Sequence, residues 1–509
     1  MATRKTRDFA WILLVITFRL IQTSVDAAPH KASATNRRAS NLWGILRNEK
    51  GWDVIESVCI CDDSIRLLVE VLFIWYRNWP VLIRCFFFKI LVQLASRLMS
   101  KESSTAIKSI RKILTNVEAH GVVDSFSRFP NPEVWASVYA LSRLQRAARL
   151  HDRRHQKQSF PVVHNRELLR NLAHYAVYAN VAYGWKMDLA FRRRLHLGGD
   201  IQALLRRTGI PLEDVIAAEW ESRTHRPGYF IVRDRAKKKI VLCVRGTFGP
   251  HDLLTALCCT ARDFDIPLKD WATTDKVADL AHNHTESSVD KQSSRPLRAH
   301  HGMLEAARGL LVDAEPLLEK ELQANPDFGL VLVGHSLGGG AAFLLGMLLG
   351  NKFPELVVYV YGAPCVAPIE SRPTQGVKVF SVVNEGDPFA CLSLGHVADV
   401  SAGLSHLCLN PELRSNILIR TNGNIDEMES GDLKWCSQTM EALRGRRMTA
   451  EKLYPPANVL FLSNESNLLR LLHVPPDHFQ DLIISPRMFD LARHIPSLYE
   501  SRLQSLLAQ

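Results

Sequence analysis

The chain lacks most of the features that would commit it to a membrane span, a metal site or nucleic acid. In the apolar front region charges interrupt every run well short of the ~20 residues that a spanning helix needs, so a span is the weakest reading of Ile65 to Met99. None of the ten cysteines falls into a standard zinc spacing. No RNA-binding aromatic signature, zinc-finger pattern or long Lys/Arg run accompanies the net charge of +11, which argues against nucleic acid as partner. Internal repeats are absent, which excludes a repeat array. Nor is the chain polar enough to stay unfolded. Hydrophobic residues make up 47% and charged ones 23%, the proportions of a globular protein with a sizeable core. At 509 residues it exceeds one ordinary domain.

The positive charge is concentrated at the front. Residues 1–160 hold 25 Lys and Arg against 13 Asp and Glu, while the remainder holds 38 against 39. A basic front end on a neutral globular part suits an anionic partner such as a membrane surface. Arg4, Lys5 and Arg7 precede an apolar run from Phe9 to Phe18, and Val25-Asp26-Ala27 resembles a small-residue cleavage site. That is the order of a secretory signal, so residues 1–27 are expected to be a signal peptide or, uncleaved, an N-terminal anchor. The expected location is the secretory pathway, either membrane-associated or secreted. Asn283-His284-Thr285 and Asn464-Glu465-Ser466 are glycosylation acceptors and agree with it. In such a compartment Cys59, Cys61, Cys258, Cys259, Cys391, Cys408 and Cys436 could form disulfides, whereas Cys243 lies in an apolar strand pattern and reads as a buried thiol.

Residues 28–159 read as a basic, helical region that could associate with a membrane. Within it, Ile65 to Met99 is strongly apolar, yet Arg66, Glu70, Arg77 and Arg84 fall within about 40° of one another on a helical wheel. Pro80 breaks the helix. Two readings stay open: a helix pair lying in the plane of a membrane with its charges toward headgroups, or a buried hairpin covering the core of the next domain.

From residue 160 the pattern changes. Leu168 to Trp185 is apolar at helical spacing, with Tyr175, Tyr178 and Tyr183 as packing residues. Tyr229–Val232 and Ile240–Val244 are short strands around a polar turn from Asp234 to Lys239. Then come a strand at Leu330–Val333, a helix at Leu337–Leu349, strands at Val357–Tyr361 and Val377–Val383, a long irregular excursion, and a last strand at Asn458–Leu462. Strands alternating with helices predict an α/β fold with a mostly parallel sheet covered on both faces.

The chemistry centres on Gly334-His335-Ser336-Leu337-Gly338. An apolar strand runs directly into a small-residue helix through this motif, the context of a nucleophile elbow that lifts a serine hydroxyl over the carboxyl edge of the sheet. Gly334 and Gly338 flank Ser336 because side chains there would collide with the tight turn and the packed helix. The Leu337 amide, at a helix N-terminus, is a candidate oxyanion donor. A serine needs a base and the base a carboxylate, in the order Ser, acid, His. Asp387, just past the Val377–Val383 strand, is the preferred acid, with Glu385 and Asp399 as substitutes. His473, His478 and His494 all follow the last strand, and spacing does not separate them. Gly246-Thr247, at the end of Ile240–Val244, would bring a second oxyanion donor from Thr247.

Taken together, Val244-Arg245-Gly246-Thr247, His300-His301-Gly302-Met303-Leu304, the elbow and Tyr361-Gly362-Ala363-Pro364 resemble the class 3 (fungal-type) lipase family. The tail, Leu453-Tyr454-Pro455-Pro456 and then Ile483-Ile484-Ser485-Pro486-Arg487-Met488-Phe489 before His494, is most similar to sn-1-specific diacylglycerol lipases. The resemblance covers roughly residues 160–500. It implies an α/β-hydrolase fold, hydrolysis of acylglycerol or phospholipid esters without metal or organic cofactor, and a membrane or lipid-droplet surface as the place of work. It also implies a triad of Ser336, Asp387 and His494, with Thr247 in the oxyanion hole, and a mobile lid over residues 263–298. Residues 501–509 would be a C-terminal tail. The sequence departs from the family in two respects: no four clear spans precede the domain, and Pro388-Phe389 follows Asp387 where an aliphatic residue and then proline are usual. The rival functions are a phospholipase A1 or soluble carboxylesterase and, in a different class, an inactive lipase-like membrane scaffold.

Overall fold

A computed structural model of the chain describes residues 131–155, 160–185, 199–264, 297–353, 355–369, 371, 376–445, 451–465, 468–484 and 491–509. The expected signal segment, the apolar stretch 65–99, nearly all of the expected lid and the Ser485–Phe489 motif lie outside the described residues.

The helices are α1 (Asn131–His155), α2 (Arg166–Val181), α3 (Gly199–Thr208), α4 (Pro250–Leu257), α5 (His301–Ala324), α6 (Leu337–Leu349), α7 (Leu394–Leu409), α8 (Pro411–Arg420), α9 (Ser430–Arg444) and α10 (Pro496–Ala508). The strands are β1 (Val215–Glu219), β2 (Tyr229–Asp234), β3 (Lys239–Val244), β4 (Ala261–Phe264), β5 (Leu297–His300), β6 (Gly329–His335), β7 (Val357–Tyr361), β8 (Lys378–Asn384), β9 (Asn458–Glu465) and β10 (Leu468–Val474). An eight-stranded sheet runs in the order β1-β2-β3-β6-β7-β8-β9-β10. The five strands from β3 to β9 are mutually parallel, and antiparallel pairs close both ends. The fold is therefore α/β with a mostly parallel centre.

Alternation along β3 shows why the sheet has two covered faces. Ile240, Leu242 and Val244 join the core under α5 and α6, while Val241 and Cys243 join the core under α2 and α10. All five side chains are fully buried. A strand buried on both sides loses the polar–apolar alternation of a half-exposed one and reads as a continuous apolar run. The same holds for β6 and β7. Full burial of such side chains stabilises by about 1.5–3 kcal/mol each.

Three differences from the sequence reading have physical causes. The expected turn from Asp234 to Lys239 is shorter, because those two residues still pair across the hairpin. Asn458–Leu462 is not the last strand: it extends to Glu465 and turns back into β10, whose half-exposed residues match an edge strand. The strand β1 has no counterpart in the sequence reading, since Val-Ile-Ala-Ala-Glu is too short and weakly patterned to stand out.

Helix α1 belongs with the long excursion between β8 and β9. Its Ala140, Leu141, Leu144, Ala147 and Ala148 form a separate core with residues of α7, α8 and α9. Residues 131–155, grouped at the level of sequence with the basic front region, thus pack against the domain expected to start at 160. Residues 501–508 likewise continue α10 rather than hang free, and α10 packs on α2 through Tyr499 and Leu503. Among the described residues no helix is long and apolar enough to cross a membrane. The seven described cysteines, including Cys258, Cys259, Cys391, Cys408 and Cys436, are free thiols.

Candidate active site

Ser336 lies between β6 and α6 with φ 56° and ψ −129°, in a region that costs a non-glycine residue on the order of 1–3 kcal/mol. The surroundings dictate the strain. A Cβ on Gly334 would lie 2.3 Å from the Gly338 carbonyl oxygen, and one on Gly338 would lie 2.3 Å from the Val244 carbonyl oxygen. Two backbone segments therefore cross at contact distance, and only glycine fits at either point. The Ser336 amide is tied to the Tyr361 carbonyl at 2.9 Å, which fixes the turn against β7.

Three chain segments far apart in sequence meet at this turn. His494 Nε2 lies 2.8 Å from Ser336 Oγ, and His494 Nδ1 lies 2.7 Å from Asp387 Oδ2. Asp387 sits directly beyond β8, its side chain almost fully buried. It also accepts the Phe389 amide at 2.9 Å and the Tyr499 hydroxyl at 2.5 Å. Burial, reinforced by the neighbouring Asp387, pushes the Tyr499 phenol well above its ordinary pKa, so it stays a proton donor. The Phe389 ring rests on the His494 imidazole, with centroids 4.2 Å apart. Phe389 is one of the two residues after Asp387 that depart from the pattern of the family the sequence resembles.

The other candidates for acid and base lie elsewhere. Glu385 accepts the Asn464 amide on β9, and Asp399 pairs with Lys452. His473 is exposed on the edge strand β10. His478 packs among Phe160, Phe461 and Phe479, where burial pulls its pKa down to about 4. Of the three histidines only His494 meets the serine.

The candidate oxyanion donors flank the same point. Leu337 opens α6, so its amide is among the first-turn groups without an intrahelical acceptor. Gly246 runs so close to the elbow that a Cβ on it would lie 2.4 Å from the His335 carbonyl oxygen and 3.1 Å from Ser336 Cβ. Thr247 follows directly and is partly exposed. Before α5, the two ends of the expected lid interval are tied together: β4 pairs antiparallel with β5, Asp263 opposite Arg298 and Phe264 opposite Leu297.

Four residues at the site carry no sign in the sequence of holding the histidine. Asn384 Nδ2 donates to the Arg493 carbonyl at 3.1 Å, and His335 Nε2 donates to the His494 carbonyl at 2.7 Å. Tyr499 holds the carboxylate, and Tyr183, expected only to pack, hydrogen-bonds His335 Nδ1 at 2.7 Å. No periodicity marks such contacts, which join residues more than a hundred positions apart. Gly362, with φ 57°, leaves the space for both imidazoles, since a Cβ there would lie 2.9 Å from each ring. Among the described residues there is no group of three or more His, Cys, Asp or Glu side chains placed to hold a metal.

Residues 241–395 match the family model for lipase (class 3). The mouse protein diacylglycerol lipase-beta is 27% identical over 222 residues, which cover 38% of this chain and 29% of the relative. A secreted mono- and diacylglycerol lipase 1 of Fusarium solani is 26% identical over 199 residues, covering 39% of this chain and 50% of the relative. This chain therefore spans no more than half the length of either. A solved lipase from Rhizopus microsporus var. chinensis aligns at 21% identity and a TM-score of 0.30, over 45% of this chain and 75% of its own. Over the matched part, the chain is similar to class 3 lipases.

Proposed function

We propose that the protein is a serine hydrolase that cleaves fatty-acyl esters of acylglycerols, with Ser336 as nucleophile, His494 as general base and Asp387 as its orienting carboxylate. The observation that carries this reading is the unbroken hydrogen-bond chain from Ser336 Oγ through His494 to Asp387 on a strained elbow.

The chemistry follows from the geometry. His494 Nε2 takes the hydroxyl proton as Ser336 Oγ attacks the ester carbonyl. Asp387, at Nδ1, stabilises the imidazolium that forms. Negative charge on the carbonyl oxygen is met by the Leu337 and Thr247 amides, each contributing about 3 kcal/mol in comparable hydrolases. The imidazolium then protonates the departing glycerol oxygen. In the second half, His494 removes a proton from water as the water oxygen attacks the acyl carbonyl, the bond to Ser336 Oγ breaks, and the imidazolium returns its proton to Ser336 as the fatty acid leaves. Acylglycerol is preferred over other esters because the relatives are named for it. A membrane or lipid surface as the place of work follows from the aggregation of acylglycerols in water and from the basic charge of residues 1–160.

Release of fatty acid from mono-, di- and triacylglycerols and phospholipids by the full chain tests the proposal, with Ser336→Ala as control. Acylglycerol hydrolysis that rises when lipid aggregates form, and vanishes in Ser336→Ala, is the expected result. Equal or greater activity on short soluble esters, with no rise at aggregation, removes the lipid-surface reading. Failure of the wild type to react with a fluorophosphonate removes the enzyme.

A further inference from the structure

The residue before the nucleophile is a buried histidine that touches neither Asp387 nor the serine hydroxyl. Its ring bridges two elements instead. Nδ1 lies 2.7 Å from the Tyr183 hydroxyl, and Nε2 lies 2.7 Å from the main-chain carbonyl of His494. A carbonyl can only accept, so Nε2 must carry the hydrogen, and in the neutral ring Nδ1 then accepts from Tyr183. The Tyr183 hydroxyl in turn packs against Gly246, where a Cβ would lie 2.2 Å from its oxygen. One buried set of contacts therefore runs from the loop of the candidate oxyanion donor, through Tyr183 and His335, to the backbone of the candidate base.

We propose that Tyr183 and His335 are positioning residues for His494, a role that rests on the serine-hydrolase reading above. Tyr183 selects the tautomer of His335, and that tautomer donates the bond that holds the His494 loop at the elbow. Consecutive residues of the elbow thus grip opposite ends of one histidine: Ser336 the imidazole, His335 the carbonyl. The arrangement is suited to the task because it is neutral. Burial, and then the neighbouring His494, hold His335 well below the ordinary histidine pKa. A cationic neighbour would oppose the charge that His494 takes up in the transition state; a neutral donor does not. The loop needs the tether because residues 491–495 hold only a single 3-10 turn, Leu491–Arg493, before α10 begins. An error of about 1 Å at a base of this kind costs on the order of a hundredfold in rate.

The experiment compares His335→Gln, His335→Asn, His335→Leu and Tyr183→Phe in the full chain. It measures ester turnover, the rate of fluorophosphonate labelling and thermal unfolding. Glutamine can place an N–H near the Nε2 position and keep the bond to the His494 carbonyl, while asparagine is too short and leucine has no donor. Turnover and labelling should fall about tenfold in His335→Asn, His335→Leu and Tyr183→Phe, and less in His335→Gln, with KM changed by less than about twofold. If the wild type labels but the four variants label at its rate, the positioning role is wrong. It is equally wrong if His335→Gln and His335→Asn lose activity to the same extent and in step with thermal stability, which is the signature of packing alone. If the wild type does not label while correctly folded, the serine-hydrolase reading falls and this role with it.

Discussion

The two halves of the site are held in different ways. Backbone crossings fix the serine half: Gly334 against Gly338, Gly338 against Val244, and Gly246 against the His335 carbonyl. Side chains hold the histidine half, with Asp387 and Ser336 on the ring and Asn384 and His335 on two successive carbonyls. The difference separates rigidity from adjustability. A backbone crossing has no soft degree of freedom, so its loss should damage fold and function together. A side-chain bond can be removed with the fold intact, so its loss should appear chiefly in rate.

Gly338→Ala tests the first half and should have the largest effect. Alanine is the better helix former by about 1 kcal/mol, so propensity alone predicts stabilisation. The new methyl would sit 2.3 Å from one backbone oxygen and 2.5 Å from another, and neither can move without parting β3 from β6. Overpacking wins, costing about 3 kcal/mol and opening the elbow. Loss of both ester turnover and thermal stability is expected. An active variant with unchanged unfolding temperature would mean that the crossing is softer than its distances imply.

Asp387→Asn tests the second half. The amide keeps the shape but is neutral, and its NH2 can donate to His494 Nδ1, which favours the wrong tautomer. Turnover should fall by about 10⁴, the scale seen when a triad aspartate is replaced in this way, with little change in unfolding temperature. Equal loss of stability would erase the contrast between the halves. Tyr499→Phe is a milder probe of the same half. It removes the donor on Asp387 Oδ2 that also accepts the Asn384 amide, so about a tenfold loss of turnover is expected, with some loss of stability.

The same contrast explains what could be read from the sequence. The elbow was legible because backbone constraints demand glycines at fixed spacing within five consecutive residues. The central strands β3, β6, β7 and β8 were legible because burial on two faces leaves long apolar runs. The choice of His494 over His473 and His478 was not legible from spacing, since what separates them is a hydrogen bond across 158 residues. It came from likeness to a family. The tethers Asn384, His335, Tyr183 and Tyr499 left no local signal, because a residue bonded to a distant partner looks like any other polar or aromatic residue in its own segment. The placement of α1 on the α7–α9 excursion was hidden for the same reason: its apolar stripe shows that it packs, and not on what.

Phe389 gives the smallest expected effect and the sharpest test of how the histidine half is tuned. Its ring lies on the His494 imidazole, which in the proposed mechanism becomes cationic as Ser336 attacks. An aromatic face attracts a cation by about 0.5–2 kcal/mol, and an aliphatic side chain of similar size does not. Phe389→Leu keeps an apolar cover over the ring and removes the π face, so it separates electrostatics from packing. Turnover should fall about fivefold, the equivalent of ~1 kcal/mol, while KM and unfolding temperature stay near the wild type. Phe389→Tyr, which keeps the face, should retain most of the activity. If leucine is as active as phenylalanine, the ring serves only to exclude water, and the histidine half is tuned by its hydrogen bonds alone.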